Sequence, residues 1–129
     1  MDANYTGTAV TLNANGITLE GFVGTKSGKA PGDAGVKILS NNNLVKGNIA
    51  YGNGRNGIIL KSCINNTVKT NTAEKNSRHG IALEYAHGNL ITGNIAGNND
   101  NEGILVWGSC YNDISSNTIN NNLRGISIC

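Results

Sequence analysis

The sequence predicts an all-β fold, a right-handed parallel β-helix (solenoid) of about five turns, or rungs, each about 23 residues long. Three observations predict it. A glycine followed by alternating apolar residues recurs along the chain, asparagines recur in step with it, and hydrophobic residues make up only 38% of the sequence. So few apolar side chains cannot fill a broad globular core, but they can fill a narrow one rung by rung.

The recurring glycines mark the first strand of each rung. They are Gly35, Gly57, Gly80, Gly103 and Gly125, whose numbers differ successively by 22, 23, 23 and 22. Apolar residues alternate after each glycine with a period of two, which is typical of a strand. Two shorter apolar segments follow in each rung, and the spacings of an amphipathic helix do not occur. Each rung is therefore predicted to contain three short strands.

Asparagines form three series in step with the glycines, and within each series the residue numbers rise by 23 at every step. The series are Asn43, Asn66, Asn89 and Asn112; Asn48, Asn71, Asn94 and Asn117; and Asn53, Asn76, Asn99 and Asn122. Equivalent residues in successive rungs lie about 4.8 Å apart. An amide side chain has both a donor and an acceptor, so stacked asparagines can form ladders, and asparagine also tolerates left-handed corners. We interpret these residues as structural rather than as ligands.

The first rung is irregular. Val10 and Leu12 match Val36 and Ile38, whose numbers are higher by 26, three more than the regular step. We assign the surplus to an inserted loop over residues 25–33, which contains the only proline. Residues 1–9 are assigned to an N-terminal cap or lead-in, and residues 1–129 to a single domain.

Charge and hydropathy exclude two classes of partner. Ten basic and eight acidic residues give a net charge of +2 without a basic run, so nucleic acid is not expected. No apolar stretch is long enough to span a membrane. The N-terminus lacks a signal-peptide pattern, which leaves the compartment undetermined.

The segment Gly57 to Ala73, GIILKSCINNTVKTNTA, resembles the repeat of a broad parallel β-helix family. That family includes the NosD-like periplasmic copper-binding proteins and the carbohydrate-binding and sugar-hydrolase (CASH) domains. The segment GITLEGF, residues 16–22, is similar to its usual opening rung. The resemblance extends from about residue 9 to 129 and implies an extracellular or periplasmic location. It does not imply one activity, because the same scaffold carries lyases, epimerases, hydrolases, adhesins and non-enzymatic proteins.

Aligned rungs predict one outer face with an apolar stripe. The stripe comprises Ile59, Ala82, Leu105 and Trp107, edged by Lys61, Glu84, Tyr85 and His87. Aromatic side chains beside a carboxylate suit stacking on a sugar ring, so Trp107, Tyr85, Glu84, Lys61 and His87 are the candidate substrate-binding residues. A contiguous apolar stripe also suits assembly. Candidate interface residues are Ile59, Ala82 and Leu105, with Ile126 and Ile128 on the last coil.

Catalytic residues are not predicted. Glu84 is the only acid in the middle of this face, and its neighbours in adjacent rungs are not carboxylates, so the acid pair of a glycosidase is missing. Glu102 and Asp100 near His79 could form an acid–base cluster, although a surface His79–Glu102 ion pair is the preferred interpretation. Stacked Arg55 and Arg78, with Arg124 near the same corner, could hold an anionic sugar, but solvated corner charges are commoner.

Metal ligands are sparse as well. Copper sites require clusters of Cys, His or Met, and His87 with Cys110 in the next rung is the one suggestive pair. We therefore predict no metal site and no cofactor. Cys63 and Cys110 are two rungs apart, too far for a disulfide.

Together these patterns predict a non-catalytic β-helix repeat module for assembly or carbohydrate recognition on a cell-surface or extracellular structure. Its partner would be a carbohydrate or another copy of itself, in a homo-oligomer or a longer chain. One alternative is a fragment or small member of a polysaccharide-processing enzyme family, a lyase, epimerase or hydrolase. A second is a NosD-like, copper-related periplasmic protein.

Overall fold

A computed structural model describes all residues, 1–129, as three parallel sheets that run side by side along one axis. The first sheet contains β1 (Val10–Leu12), β4 (Ala34–Ile38), β7 (Asn56–Lys61), β10 (Ile81–Glu84), β13 (Glu102–Trp107) and β16 (Arg124–Ile128). The second contains β2 (Thr18–Glu20), β5 (Leu44–Lys46), β8 (Thr67–Lys69), β11 (Leu90–Thr92) and β14 (Asp113–Ser115). The third contains β3 (Val23–Thr25), β6 (Ile49–Tyr51), β9 (Thr72–Glu74), β12 (Ile95–Gly97) and β15 (Thr118–Asn120).

Each rung contributes one strand to each sheet, so neighbouring strands in a sheet are three apart in the chain. The register repeats the spacings in the sequence: Val10 pairs with Val36 in the irregular first rung, and Ile81 pairs with Ile58 and Ile104 in the regular ones. The parallel β-solenoid predicted from the glycine and asparagine repeats is confirmed. The structure contains no helix, and therefore none that could cross a membrane.

The core is a narrow column of apolar side chains, as predicted. Its buried members lie in all three sheets: Leu12, Leu19, Val36, Ile38, Val45, Ala50, Ile58, Leu60, Cys63, Val68, Ala73, Ile81, Leu83, Ala86, Ile91, Ala96, Ile104 and Val106. The third sheet contributes only alanines at these positions because the first-sheet glycines approach it closely. A Cβ atom on Gly80 would lie 3.1 Å from the Cβ of Ala96 and 2.7 Å from the carbonyl oxygen of Gly103.

The predicted asparagine ladders are present. In each regular step, the backbone N–H of one asparagine donates to the Oδ1 atom of the next in its series, as from Asn71 to Asn94 at 2.9 Å. The left-handed backbone, however, falls on the residue before each ladder asparagine. These preceding residues are Asn42, Gly47, Gly52, Asn65, Thr70, Lys75, Gly88, Gly93, Asn98, Tyr111, Ser116 and Asn121. The ladder asparagines therefore stabilise the corners by hydrogen bonding, whereas the residues before them adopt the left-handed backbone.

The irregular regions of the first rung lie against the solenoid. Residues 1–9 extend along β3, where the backbone N–H of Ala3 donates to the Thr25 carbonyl at 3.0 Å. Within the 25–33 segment, Ser27 and Asp33 are buried, and only residues 29–31 are exposed.

Candidate functional site

One cleft, of about 360 Å³, opens on the outer side of the first sheet near β13. It is lined by Arg78, His79, Asn101, Glu102, Leu105, Trp107, Arg124 and Cys129. We infer that each rung turns at its recurring glycine, because the residue before the glycine packs with an outward residue after it, as Ala34 does with Ile59, although strict alternation would place the two on opposite faces. The side chain before the glycine and the outward side chains after it then face the same concave surface, so that Glu102 and Leu105 both line it.

This turn corrects the prediction of an exposed apolar stripe. Ile59 and Ala82 are 0% exposed and Leu105 is 9% exposed, and with Ala34 they form a second buried cluster. Simple alternation along a flat strand places them in solvent, whereas the bend at the glycine brings the preceding column of side chains over them. These three residues are therefore not available as an interface in the folded chain.

Trp107 remains exposed, as expected, at the rim of the cleft. It is 48% exposed and lies beside Tyr85 in the previous rung, with ring centroids 5.7 Å apart and planes inclined by 40°. Tyr85 has a left-handed φ of 51°, and its ring lies over Gly108, where an added Cβ would approach the ring to 2.7 Å. The glycine therefore makes room for the aromatic pair, and the left-handed backbone is that of a recurring corner, since Ser62 and Gly108 at the equivalent positions also have positive φ.

The other predicted binding residues lie outside the cleft. Lys61 and Glu84 pair with each other in neighbouring strands, with 3.6 Å between Nζ and Oε2. His87 lies in the loop after β10, where its Nδ1 atom is 3.0 Å from the Sγ atom of Cys110. The structure thus brings Trp107 and Tyr85 together, and of the predicted binding residues only Trp107 lines the cleft.

Glu102 is the buried acid of the cleft, and it is not part of a surface ion pair as the sequence suggested. It is 5% exposed, and its Oε2 atom lies 2.7 Å from Nδ1 of His79, itself 3% exposed. Its Oε1 atom accepts a hydrogen bond from Arg124 at 2.6 Å and another from Ser127 at 3.3 Å. Sequence reasoning named Glu102, His79 and Arg124 but missed the burial of the first two, because alternation gives no sign of the bend.

Electrostatics keep His79 neutral and Glu102 ionised near pH 7. Burial lowers the pKa of His79, the nearby Arg78 lowers it further, and Glu102 and Glu84 oppose this only in part. Burial acts to raise the pKa of Glu102, but the hydrogen bond and charge of Arg124, together with His79, outweigh it and hold the pKa below its usual value.

These two shifts predict a loss of stability in acid. In each case the unfolded chain takes up protons at a higher pH than the folded chain, so the contribution is present above the unfolded pKa and is lost as pH falls. We expect the free energy of unfolding to decline below the usual His pKa of 6.5, and again below the usual Glu pKa of 4.5. Urea unfolding from pH 8 to pH 4 measures this. His79→Ala should remove the first decline. Alanine already occupies the equivalent position of an earlier rung, as Ala34.

The fold and the cleft define a parallel β-helix repeat protein with one lateral cleft. A family model described as "Periplasmic copper-binding protein (NosD)" matches residues 1–129. The chain therefore belongs to the NosD family. Comparisons with curated proteins and with solved structures found no significant match.

The residues present do not form a copper site of three or more ligands. No group of three or more His, Cys, Asp or Glu side chains converges anywhere in the chain. Burial raises the pKa of Cys63 to about 11, so this thiol stays protonated and is a poor ligand. The contact between His87 and Cys110 offers two soft donors without a third.

Proposed function

We propose that this chain is a non-catalytic β-helix module that recognises carbohydrate through the cleft beside Trp107. The observation that carries the proposal is the half-exposed Trp107–Tyr85 pair at the rim of the one cleft in the molecule. Aromatic rings that are rigid and half in solvent suit the apolar face of a sugar, and the polar side chains behind them suit its hydroxyl groups.

A binding role is favoured over hydrolysis by the carboxylates of the cleft. Only Glu102 lines it, whereas glycosidases of the usual kind use two acids on either side of the scissile bond. Glu102 also holds Arg124 and faces His79, so it has no free role as an acid.

Replacing Trp107 with alanine should weaken oligosaccharide binding at least about tenfold, as expected for the aromatic anchor of a binding site. A glycan array identifies the ligand, and isothermal titration calorimetry measures the affinity. The unfolding midpoint should change little, because about half of the side chain is already exposed. Tyr111→Ala is the matched control, since Tyr111 is 91% exposed and does not line the cleft. Equal losses in both variants, or none in Trp107→Ala, would contradict the proposal.

Assembly remains part of the proposal through β16. Ile126 and Ile128 on this strand are 48% and 75% exposed, and exposed apolar side chains suit contact with another chain. The occupant we propose is a second copy. Sedimentation at micromolar concentration should then show a species larger than the monomer, and Ile128→Lys should reduce it.

A copper-related role is the second candidate, on the basis of the family and the His87–Cys110 contact. It predicts that the chain retains one Cu(I) ion against a competing chelator and that Cys110→Ser abolishes this. The carbohydrate proposal requires neither result.

A further inference from the structure

Arg78 is an unneutralised cation at the cleft. The carboxylates nearest to basic groups are already paired: Asp2 with Lys26, Glu20 with Lys46, Glu84 with Lys61, and Glu102 with Arg124 and His79. No carboxylate lies within 4.0 Å of the Arg78 guanidinium. Its presence at the cleft therefore favours an anionic ligand.

Arg55 strengthens this charge from the rung below. The backbone N–H of Arg78 donates to the Arg55 carbonyl at 2.9 Å, so the two arginines occupy equivalent positions in adjacent rungs. Arg55 also has no carboxylate partner, and its buried Nε atom has no hydrogen-bond partner. Like charges one rung apart repel, and an anion bound beside them relieves the repulsion.

His79 is a buried part of the cleft lining. Its Nδ1 atom lies 2.7 Å from Oε2 of Glu102, and both of its ring nitrogens are shielded from solvent. Of the two arginines that line the cleft, Arg124 is already paired with Glu102, which leaves Arg78 as the cation available to a ligand.

We propose that the cleft takes an acidic sugar, whose carboxylate or sulfate group pairs with Arg78 while the sugar ring stacks on Trp107. This inference rests on the proposed carbohydrate function and specifies the class of sugar. Trp107 lines the same cleft, so one ligand can stack on the indole and reach Arg78. A free inorganic anion would use the arginine alone and leave the aromatic rim unused.

The test compares oligogalacturonate with its methyl ester, which keeps the sugar ring but removes the charge. Titration calorimetry should show about a tenfold preference for the charged oligomer, the effect of one charge-assisted hydrogen bond. Arg78→Gln should abolish the preference by lowering the affinity for the charged oligomer to that for the ester. Lys69→Gln, on β8 in the second sheet, removes the same charge elsewhere and should keep the preference.

A sulfated galactan oligosaccharide distinguishes the source of the anion: tighter binding than oligogalacturonate assigns the site to sulfate esters, and weaker binding assigns it to uronates.

Two results separate this inference from the proposed function. Equal affinities for acid and ester, both lost in Trp107→Ala, would overturn the acidic-sugar inference and leave carbohydrate recognition standing. Failure of every oligosaccharide to bind would overturn both. A preference that survives in Arg78→Gln would also overturn the inference, because the charge would then be recognised elsewhere.

Discussion

Replacing Asn94 with alanine is expected to lower the free energy of unfolding by about 3 kcal/mol, because each buried polar group left without a partner costs about 1–3 kcal/mol. The Oδ1 atom of Asn94 accepts from the backbone N–H and the Nδ2 group of Asn71, at 2.9 and 3.0 Å. Its own Nδ2 group donates to the Val68 carbonyl at 2.9 Å and to Asn117 at 3.0 Å. The alanine variant loses all four bonds inside the solenoid.

Urea unfolding of the purified chain measures this effect. Asn13→Ala is the matched control, because Asn13 is an exposed asparagine outside the three series and makes none of the ladder bonds. Its midpoint should stay close to that of the native chain. Coincident midpoints for Asn94→Ala and Asn13→Ala would show that the ladder does not stabilise the fold.

Gly80→Ala should destabilise the chain by a similar amount, about 3 kcal/mol, at the upper end of the usual cost of overpacking. The added Cβ would lie 2.7 Å from the Gly103 carbonyl oxygen and 2.7 Å from Nδ2 of Asn99, so both a strand and a ladder must move. The equivalent Gly125 has nothing closer than 3.9 Å to such an atom. Gly125→Ala should therefore leave the urea midpoint unchanged or raise it slightly, since alanine restricts the unfolded chain. Equal losses in the two variants would mean that glycine is required for backbone conformation and not for space.

Periodicity made the fold predictable, because every regular rung repeats the same inward residues and the same three asparagines. The column from Val36 to Ile104 and the ladders could be read directly from the recurring spacings of the glycines and asparagines. The site was less accessible to sequence reasoning. A pattern of period two places Ile59 on the outer face of the first sheet, whereas in the structure it is buried beside the bend at the glycine.

The residues of the cleft could be selected from the sequence, but their burial and their contacts with one another could not be predicted. Glu102 and His79 were recognised as one possible cluster and Arg78 as part of a separate group of arginines, and surface charges were the preferred interpretation of both. Burial of His79 and Glu102 depends on how the surrounding side chains pack against them, which the spacing of residues in the sequence does not predict. Trp107 and Tyr85 were identified correctly as neighbours because they occupy adjacent positions in consecutive rungs.

The asparagine ladders give the solenoid a polarity. In every step the N–H groups of one rung donate to the Oδ1 atom of the following rung, as from Asn43 to Asn66 and from Asn89 to Asn112. The amide dipoles in all three columns therefore point the same way along the axis. A partner that continued the ladders beyond Asn112 would have to present acceptors. Two copies meeting through that end about a two-fold axis would set donors against donors, so continuation of the ladders favours head-to-tail stacking.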